Sequence, residues 1–264
     1  MTRTQSEKPI ERPSMLLALV EFQRAAFEMS ALTAAAPLLA QAPRGDGHSV
    51  LVMPGFIASG VSTKILRDYL AGLGYDAQDW ALGRNVGPKV LGRNGEKLTR
   101  KLEAMHEESG QKVSVVGWSL GGVMARELAM RRPNLVRQVV TLGSPFTGNP
   151  RATTIAPLYE MVSGEKLGGR HEQRRIRRGD KAPPVPSTAI FSRTDGIVAW
   201  RNCVEPASPL TDNIEVYGSH CGLVAHPAVL YAVADRLAQP EDAWAPFDRR
   251  GLRAPFYPDS TRPH

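Results

Sequence analysis

The sequence predicts an α/β protein with a mostly parallel sheet of about six strands and helices on both faces. Short runs rich in Val, Ile and Leu alternate along the chain with segments of helical length, an order typical of β-α-β units. The chain has 264 residues, of which 42% are hydrophobic, and this is enough to bury a sizeable core. We find no internal repeat.

Most of the predicted strands are short apolar runs that end where turn residues or a helical pattern begin. The first strand is followed by a Pro-Gly turn, and the third leads directly into a glycine-rich turn. The predicted strands are 48–53, 75–79, 112–117, 136–142, 187–192 and 213–217. The predicted helices between and after them are 61–73, 95–108, 120–131 and 227–238.

Three regions are expected along the chain. They are a helical N-terminal extension at 1–44, the α/β domain at 45–238 and a Pro-rich tail at 239–264, with an insertion in the domain at about 146–186. The aromatic residues of the tail are expected to strap it onto the surface of the domain.

The N-terminal extension is rich in Leu and Ala, but Glu21, Arg24 and Glu28 interrupt its apolar run. It therefore fits neither a signal peptide nor a membrane span. We expect an amphipathic helix that packs on the α/β domain, with docking on a membrane surface as the alternative. On this basis a cytoplasmic location is expected.

A Gly-Trp-Ser-Leu-Gly sequence at 117–121 joins a predicted strand to a predicted helix. G-x-S-x-G in this context is typical of a nucleophile elbow, a tight turn that presents a serine hydroxyl at the end of a sheet. A side chain at position 117 or 121 would collide with neighbouring backbone, and the helix N-terminus favours developing negative charge. We therefore predict that Ser119 is a nucleophile. The alternative is a plain turn in which Ser119 caps the helix.

A base and an acid are expected after later strands, in the order Ser, acid, His. Asp195 follows the strand at 187–192, and His220 follows the strand at 213–217. Both would lie at the carboxyl edge of the sheet, where open α/β sheets bind ligands. The alternatives that remain open are Asp180 or Asp212 as the acid and His226 as the base.

These residue types have complementary roles in nucleophilic catalysis. His220 could take the proton of Ser119 and return it to the leaving group, while Asp195 would hold the other ring nitrogen in its protonated form. Backbone amides must stabilise the oxyanion, and we expect them from Leu120 and Phe56. For Phe56, an ordinary Pro-Gly turn is the alternative.

Four motifs, in this order, resemble the α/β-hydrolase superfamily, and within it the bacterial lipases and esterases. They are Pro-Gly-Phe at 54–56, Gly-Trp-Ser-Leu-Gly at 117–121, Ser-Arg-Thr-Asp-Gly-Ile-Val at 192–198 and Gly-Ser-His at 218–220. The resemblance covers roughly 45–238. It implies the α/β-hydrolase fold and a serine esterase or lipase that works through an acyl-enzyme intermediate on an ester or lipid, with no cofactor and no metal.

The chain departs from the superfamily pattern at the oxyanion loop. It lacks an HGGG-type sequence, and Pro54 replaces the common His before the glycine. In similar enzymes a single-glycine loop accompanies medium or longer acyl chains, so the resemblance implies such substrates.

The insertion at 146–186 resembles the position at which α/β-hydrolases carry a small cap over the active site. Its candidate acyl contacts are Leu158, Tyr159, Met161 and Val162, although plain packing of these residues is equally open. The insertion also carries a basic run, and the net charge of the chain is +7. This run is interpreted as a solvated loop or as a site of attraction to anionic lipid surfaces or acidic substrates. Nucleic-acid binding is not expected, because the run lacks interleaved aromatic residues.

Cys203 and Cys221 are the only cysteines of the chain. Cys221 directly follows His220, and Cys203 lies in the segment after Asp195, so a disulfide could join the two loops. Two free thiols, as expected in a reducing compartment, are equally open. The pair lacks matching histidine ligands, which argues against zinc.

Two other function classes remain open. An acyltransferase would use the same triad but pass the acyl group to an acceptor other than water. A non-catalytic binding protein on the same fold is the second alternative.

Overall fold

The computed structural model of the chain describes residues 10–169 and 179–261. Its strands are β1 (Ser49–Met53), β2 (Asp76–Asp79), β3 (Val113–Trp118), β4 (Val136–Leu142), β5 (Ser187–Phe191) and β6 (Thr211–Glu215). Its helices are α1 (Met15–Leu19), α2 (Glu21–Leu39), α3 (Lys64–Gly72), α4 (Glu96–Ser109), α5 (Leu120–Arg131), α6 (Ala156–Ser163) and α7 (Pro227–Leu237). The strands form one parallel sheet in the order β2-β1-β3-β4-β5-β6. The predicted fold class is confirmed.

Helices cover both faces of the sheet because successive strand side chains point to opposite faces. On β1, Val50 and Val52 join a core with α2, α3 and α7, whereas Leu51 and Met53 join a second core with α4, α5 and α6. The sheet is therefore buried on both sides, and its strand ends remain available for a site.

The predicted strand boundaries agree with the structure within two residues, whereas the helix predicted at 61–73 becomes α-helical three residues later, at Lys64, after a 3-10 turn at Gly60–Thr63. Among the strands, the largest difference is at β6, predicted at 213–217, which begins at Thr211 and pairs this residue with Ser187 of β5. The Ser187 amide also donates to the Leu210 carbonyl at 2.8 Å. The start of β6 is therefore set by hydrogen bonds to its neighbour rather than by its own apolar pattern.

The N-terminal helices pack on the α/β core. α2 lies against α7, and Leu39 and Ala42 belong to the buried core on that face of the sheet. Several large apolar side chains of α1 and α2 nevertheless face solvent, namely Met15, Leu16, Leu19, Phe22 and Phe27. Contact of this surface with a membrane stays a prediction, as do the division of the chain into three regions and the cytoplasmic location. No helix in the described part of the chain is long and apolar enough to cross a bilayer.

The C-terminal tail is anchored on α7 through two aromatic residues. Phe247 and Tyr257 are buried with their ring centroids 4.6 Å apart, and the Tyr257 hydroxyl donates to the Ala228 carbonyl at 2.8 Å. The tail thus completes the core on the α7 side of the sheet.

Candidate active site

Ser119 lies in the turn between β3 and α5 with φ 52° and ψ −123°. A non-glycine residue in such a rarely adopted conformation costs about 1–3 kcal/mol, so the surrounding structure must enforce it. The Ser119 amide donates to the Leu142 carbonyl at 2.8 Å, and the Gly122 amide donates to the Ser119 carbonyl at 3.0 Å. These bonds hold the strained turn at the carboxyl end of β3.

The glycines on either side of Ser119 are required by close backbone contacts. A Cβ on Gly117 would lie 2.4 Å from the Gly122 Cα, and a Cβ on Gly121 would lie 2.5 Å from the Met53 carbonyl oxygen. Both distances are shorter than real Cβ contacts. The glycines of the motif therefore allow the elbow to pack against its own helix and against the end of β1.

Asp195 and His220 lie in the turns that follow β5 and β6, which are neighbouring parallel strands. Such strands end at the same edge of the sheet, and this brings the two turns together. One carboxylate oxygen of Asp195, Oδ1, accepts hydrogen bonds from the Ile197 and Val198 amides, both at 2.8 Å. This turn fixes the carboxylate and leaves Oδ2 for the histidine.

The structure brings Ser119, His220 and Asp195 into one chain of hydrogen bonds. The distance between His220 Nε2 and Ser119 Oγ is 2.9 Å, and that between His220 Nδ1 and Asp195 Oδ2 is 2.6 Å. With Nδ1 protonated, this nitrogen donates to Asp195, and Nε2 is the acceptor for the Ser119 hydroxyl. The three residues are only 4–6% exposed, so these bonds are shielded from bulk water.

Electrostatics keep His220 basic despite its burial. Burial by itself lowers the pKa of His220, but the charge of Asp195, the hydrogen bond to it and the charge of Glu21 together raise this pKa above the ordinary value of 6.5. The surroundings of His220 therefore favour the imidazolium form, which is the form that a general base adopts after it takes a proton.

Two backbone amides beside Ser119 have no acceptor in the described part of the protein. They belong to Leu120, the first residue of α5, and to Phe56 in the loop after β1. The first amides of a helix have no intrahelical partner. A Cβ on Gly55 would lie 3.2 Å from the Ser119 Cβ, so the loop after β1 passes close to the elbow. Both amides are available to an oxyanion formed at Ser119.

Sequence reasoning missed the residue that braces the loop after β1. Asn85 is fully buried, and its side-chain NH₂ donates to the Pro54 carbonyl at 2.8 Å. Its backbone carbonyl accepts from the Ile57 amide, also at 2.8 Å. Ile57 has a φ of 54°, so this support holds a strained residue next to Phe56. The only signal in the sequence is an Asn inside a loop at 82–88.

Trp118 has a second role that the sequence did not indicate. It is partly buried against the core, and its indole Nε1 also donates to the His220 carbonyl at 3.0 Å. The residue before Ser119 thus holds the turn that carries the histidine.

The alternative acids and base lie elsewhere. Asp180 is exposed, and Asp212 accepts hydrogen bonds from the Phe247 amide and the Arg249 guanidinium at the start of the tail. His226 caps α7, with its Nδ1 accepting from the Ala228 amide at 3.2 Å. Asp212 and His226 thus have structural partners away from Ser119.

A second Ser–His–Asp set lies at the amino edge of the sheet. His48 Nε2 lies 2.8 Å from Ser114 Oγ, and His48 Nδ1 contacts both Asp46 and Arg137. Ser114 and His48 are at most 1% exposed, so no substrate can reach them. Burial and the charge of Arg137 also lower the pKa of His48, the opposite of the shift at His220.

A small apolar cavity of about 50 Å³ opens beside Ser119. Of the four candidate acyl contacts, Tyr159 lines it and the others do not: Leu158 and Met161 are 37% and 75% exposed, and Val162 packs against the core. Only one face of the short helix α6 turns toward the cavity, and acyl contacts from the other three residues stay a prediction. The remaining lining residues are Phe56, Leu120, Val123, Pro145, Pro150, Thr153, Ile155, Leu167 and Val198.

Most of the basic run in the insertion lies outside the described residues. The residues of the run that lie outside are Arg170, Arg174, Arg175, Arg177 and Arg178, whereas Lys181 is described and exposed. The interpretation of this run therefore stays a prediction.

The disulfide considered between Cys203 and Cys221 is absent, because both cysteines are free thiols. Burial raises the pKa of Cys203 and raises that of Cys221 to about 12, so neither is a reactive thiolate near neutral pH. The turns of Asp195 and His220 are instead joined by the Glu21 carboxylate, which accepts from an amide of each. Among the described residues, no cluster of His, Cys, Asp or Glu could hold a metal ion.

Comparison with solved structures shows the class of fold. The chain is similar to Aspergillus fumigatus lipase B, with a TM-score of 0.60 and 18% identity over 76% of this chain and 55% of that chain. It is also similar to a Bacillus licheniformis lipase in mature form, with a TM-score of 0.53 and 17% identity over 75% of this chain and 94% of that chain. A Paleococcus ferrophilus monoacylglycerol lipase gives a TM-score of 0.52 and 17% identity over 71% and 96% of the two chains.

The chain thus has the α/β-hydrolase fold, and the predicted resemblance is confirmed at the level of the fold. It spans little more than half the length of the Aspergillus lipase. A scan against protein families finds no match.

Proposed function

We propose that this protein is a serine carboxylic-ester hydrolase, an esterase or lipase that works through an acyl-enzyme intermediate on Ser119. The observation that carries the proposal is the hydrogen-bond chain from Ser119 through His220 to Asp195, beside two backbone amides without acceptors. The names of the structural neighbours, three of them lipases, support an ester substrate.

The mechanism follows from the positions of these groups. Ser119 Oγ attacks the ester carbonyl carbon while its proton moves to His220 Nε2, and Asp195 stabilises the resulting imidazolium. The carbonyl oxygen becomes an oxyanion that accepts hydrogen bonds from the Phe56 and Leu120 amides. The tetrahedral intermediate then expels the alcohol, which takes the proton from Nε2, and the acyl group stays on Ser119.

Deacylation repeats these steps with water as the nucleophile. His220 Nε2 takes a proton from the water, the hydroxide adds to the acyl carbon, and the same amides hold the oxyanion. When the second tetrahedral intermediate collapses, Ser119 Oγ leaves and regains the proton from His220. The products are the carboxylic acid and the free enzyme.

A fluorophosphonate probe tests the proposal directly. We expect one probe per chain, attached to Ser119 as located by peptide mass spectrometry, together with release of carboxylic acid from p-nitrophenyl esters. An unlabelled Ser119 would contradict the proposal and favour a binding protein. Labelling together with acyl transfer to an added alcohol, in place of acid release, would indicate an acyltransferase.

The pH profile is expected to follow His220. The neutral imidazole is the base, so kcat/KM for a p-nitrophenyl ester should rise with pH through an apparent pKa above 6.5, the direction of the His220 shift. Below that pKa, His220 carries a proton and cannot accept another. Initial rates at low substrate concentration between about pH 5 and 9 measure the profile. A kcat/KM that stays level or rises as the pH falls below 6.5 would contradict the role of His220.

The cavity beside Ser119 bears on the acyl group. Its apolar lining suits an acyl chain, but a volume of about 50 Å³ is small compared with the ~300 Å³ or more of most ligand pockets. The medium or longer acyl chains implied by the resemblance stay a prediction. They would need displacement of a lining side chain such as Leu167.

Widening this cavity is expected to change the chain-length preference. Leu167→Ala should raise the kcat/KM ratio of the octanoate to the acetate p-nitrophenyl ester by about 10-fold. The space left by the leucine side chain would let the longer acyl chain bury apolar surface, which is worth about 1–3 kcal/mol. Met161→Ala on the exposed face of α6 is the control and should leave this ratio unchanged. An unchanged ratio in Leu167→Ala would show that the acyl chain does not enter this cavity.

A further inference from the structure

Three charged side chains of α2 lie on the face of the helix that meets the candidate site. They are Glu21, Arg24 and Glu28, whose spacing of three and four residues places them along one side of a helix. Glu21 is 1% exposed, which is rare for a carboxylate unless hydrogen bonds compensate for the lost water.

The Glu21 carboxylate joins the two turns that carry Asp195 and His220. Its Oε1 accepts from the Gly196 amide at 2.8 Å, and its Oε2 accepts from the Cys221 amide at 3.0 Å. These amides belong to the residues that directly follow the acid and the histidine. One buried carboxylate therefore fixes the distance between the two turns.

The other two side chains hold the residues that precede the acid and the histidine. The Arg24 guanidinium donates to the carbonyl and the hydroxyl of Thr194 at 2.7 and 2.9 Å. The Glu28 carboxylate accepts from the amide and the hydroxyl of Ser219, both at 2.7 Å. All four neighbours of Asp195 and His220 in the chain are thus held by α2.

The turns are shaped to receive the N-terminal helices. A Cβ on Gly196 would lie 2.5 Å from the Leu17 carbonyl carbon, and a Cβ on Gly222 would lie 1.8 Å from Glu28 Oε2. A side chain at Gly196 would push the backbone of α1 away, and one at Gly222 would displace the Glu28 carboxylate from its contacts. The close packing makes the contact between α2 and the turns specific.

We propose that Glu21 and Glu28 are positioning residues, which hold Asp195 and His220 in line with Ser119 from the N-terminal helix α2. The inference rests on the proposed function, because it concerns the geometry of the same triad. Neither carboxylate reaches Ser119, so both act through the turns that they hold.

Glu21 also acts on His220 through its charge. The charged groups that act on this imidazole are Asp195, from the turn after β5, and Glu21, from α2. Arg24 Nη1 lies 3.8 Å from Glu21 Oε1, and Glu28 binds the amide of Ser219, the residue before His220. Asp195 and Glu21 both raise the pKa of His220. Loss of the Glu21 charge should therefore shift the pH profile toward lower pH.

The test compares Glu21→Gln and Glu28→Gln with wild type. The glutamine side chain keeps the shape but not the charge, and its NH₂ group cannot accept the second hydrogen bond that the carboxylate accepts. We therefore expect kcat per labelled Ser119 to fall by about 10- to 100-fold, with a smaller change in KM. The kcat/KM midpoint of Glu21→Gln should move to lower pH. Glu108→Gln, an exposed residue of α4 with no such contact, is the matched control and should behave as wild type.

A merely structural role would give a different result. If the variants lose thermal stability but keep the kcat per labelled Ser119 and the pH midpoint of wild type, the proposal is overturned. Should Glu21→Gln not fold, Glu28→Gln decides through the same kcat measurement, because Glu28 is only partly buried.

Hydrogen–deuterium exchange separates this inference from the proposed function. We expect faster exchange of the amides at 194–197 and 219–222 in both variants, and this readout needs no turnover. A wild type that hydrolyses no ester and takes up no fluorophosphonate would refute the hydrolase, whatever the exchange shows. Unchanged exchange in an active enzyme would refute the positioning role alone.

Discussion

Replacement of Ser119 by alanine is expected to lower kcat for a p-nitrophenyl ester by about 10⁵- to 10⁶-fold, because the nucleophile and the base act as one unit. The change removes one oxygen and one hydrogen bond, to His220 Nε2. The variant should therefore still fold. Loss of this side-chain hydrogen bond should change the free energy of unfolding little, because backbone hydrogen bonds hold the turn. Initial rates and circular dichroism on the purified variant measure both expectations.

Ser114→Ala is the matched control for this experiment. Ser114 lies on β3, the strand that leads into Ser119, is also buried and also contacts a histidine that pairs with an aspartate, but it lies at the amino edge of the sheet. We expect its kcat to stay within about twofold of wild type, since the two sites share no residue. Stability should fall by about 1–3 kcal/mol, because His48 loses its buried partner. Equal losses of activity in the two variants would refute the assignment of Ser119.

Gly121→Ala is expected to have the second-largest effect. Its new Cβ would lie 2.5 Å from the carbonyl oxygens of both Met53 and Pro54, and these are backbone atoms that cannot rotate away. The elbow and the loop after β1 would have to separate, which moves the Leu120 amide away from the Phe56 amide. We expect kcat to fall at least about 100-fold and the free energy of unfolding to fall by about 3 kcal/mol.

Gly72→Ala provides the comparison for this steric argument. Gly72 ends α3, and a Cβ there would meet no atom within 4 Å outside the adjacent residues and the backbone of its own helix. Alanine stabilises helical positions relative to glycine, so the free energy of unfolding in urea should rise by up to about 1 kcal/mol without a change in kcat. A Gly121→Ala variant as stable and as active as Gly72→Ala would show that the elbow can relax around a side chain.

The sequence allowed prediction of the fold and of the residues that meet at its edge because their signals are local. Strand and helix periods depend on neighbours a few positions away, and the order of the sheet follows from alternating strands and helices. The glycines around Ser119 mark a backbone conformation that few residues allow. Asp195 and His220 could be located because each follows a strand directly, and parallel strands end at one edge.

Contacts between distant parts of the chain have no such signal. In the sequence, Glu21, Arg24 and Glu28 served only to argue against a membrane segment. Their partners lie 170 to 200 positions away. Asn85 and the indole of Trp118 likewise acquire their roles only when separate loops meet.

The sequence by itself therefore determined the α/β architecture and the three side chains that form the hydrogen-bond chain, since each depends on a short stretch of residues. Only the tertiary structure decided that the cysteines stay apart, that α6 offers Tyr159 to the cavity and that α2 holds the turns of the acid and the histidine. The reason is physical: a side chain aligns with a partner far along the chain only through the packing of whole helices on the sheet, and no local pattern records that packing.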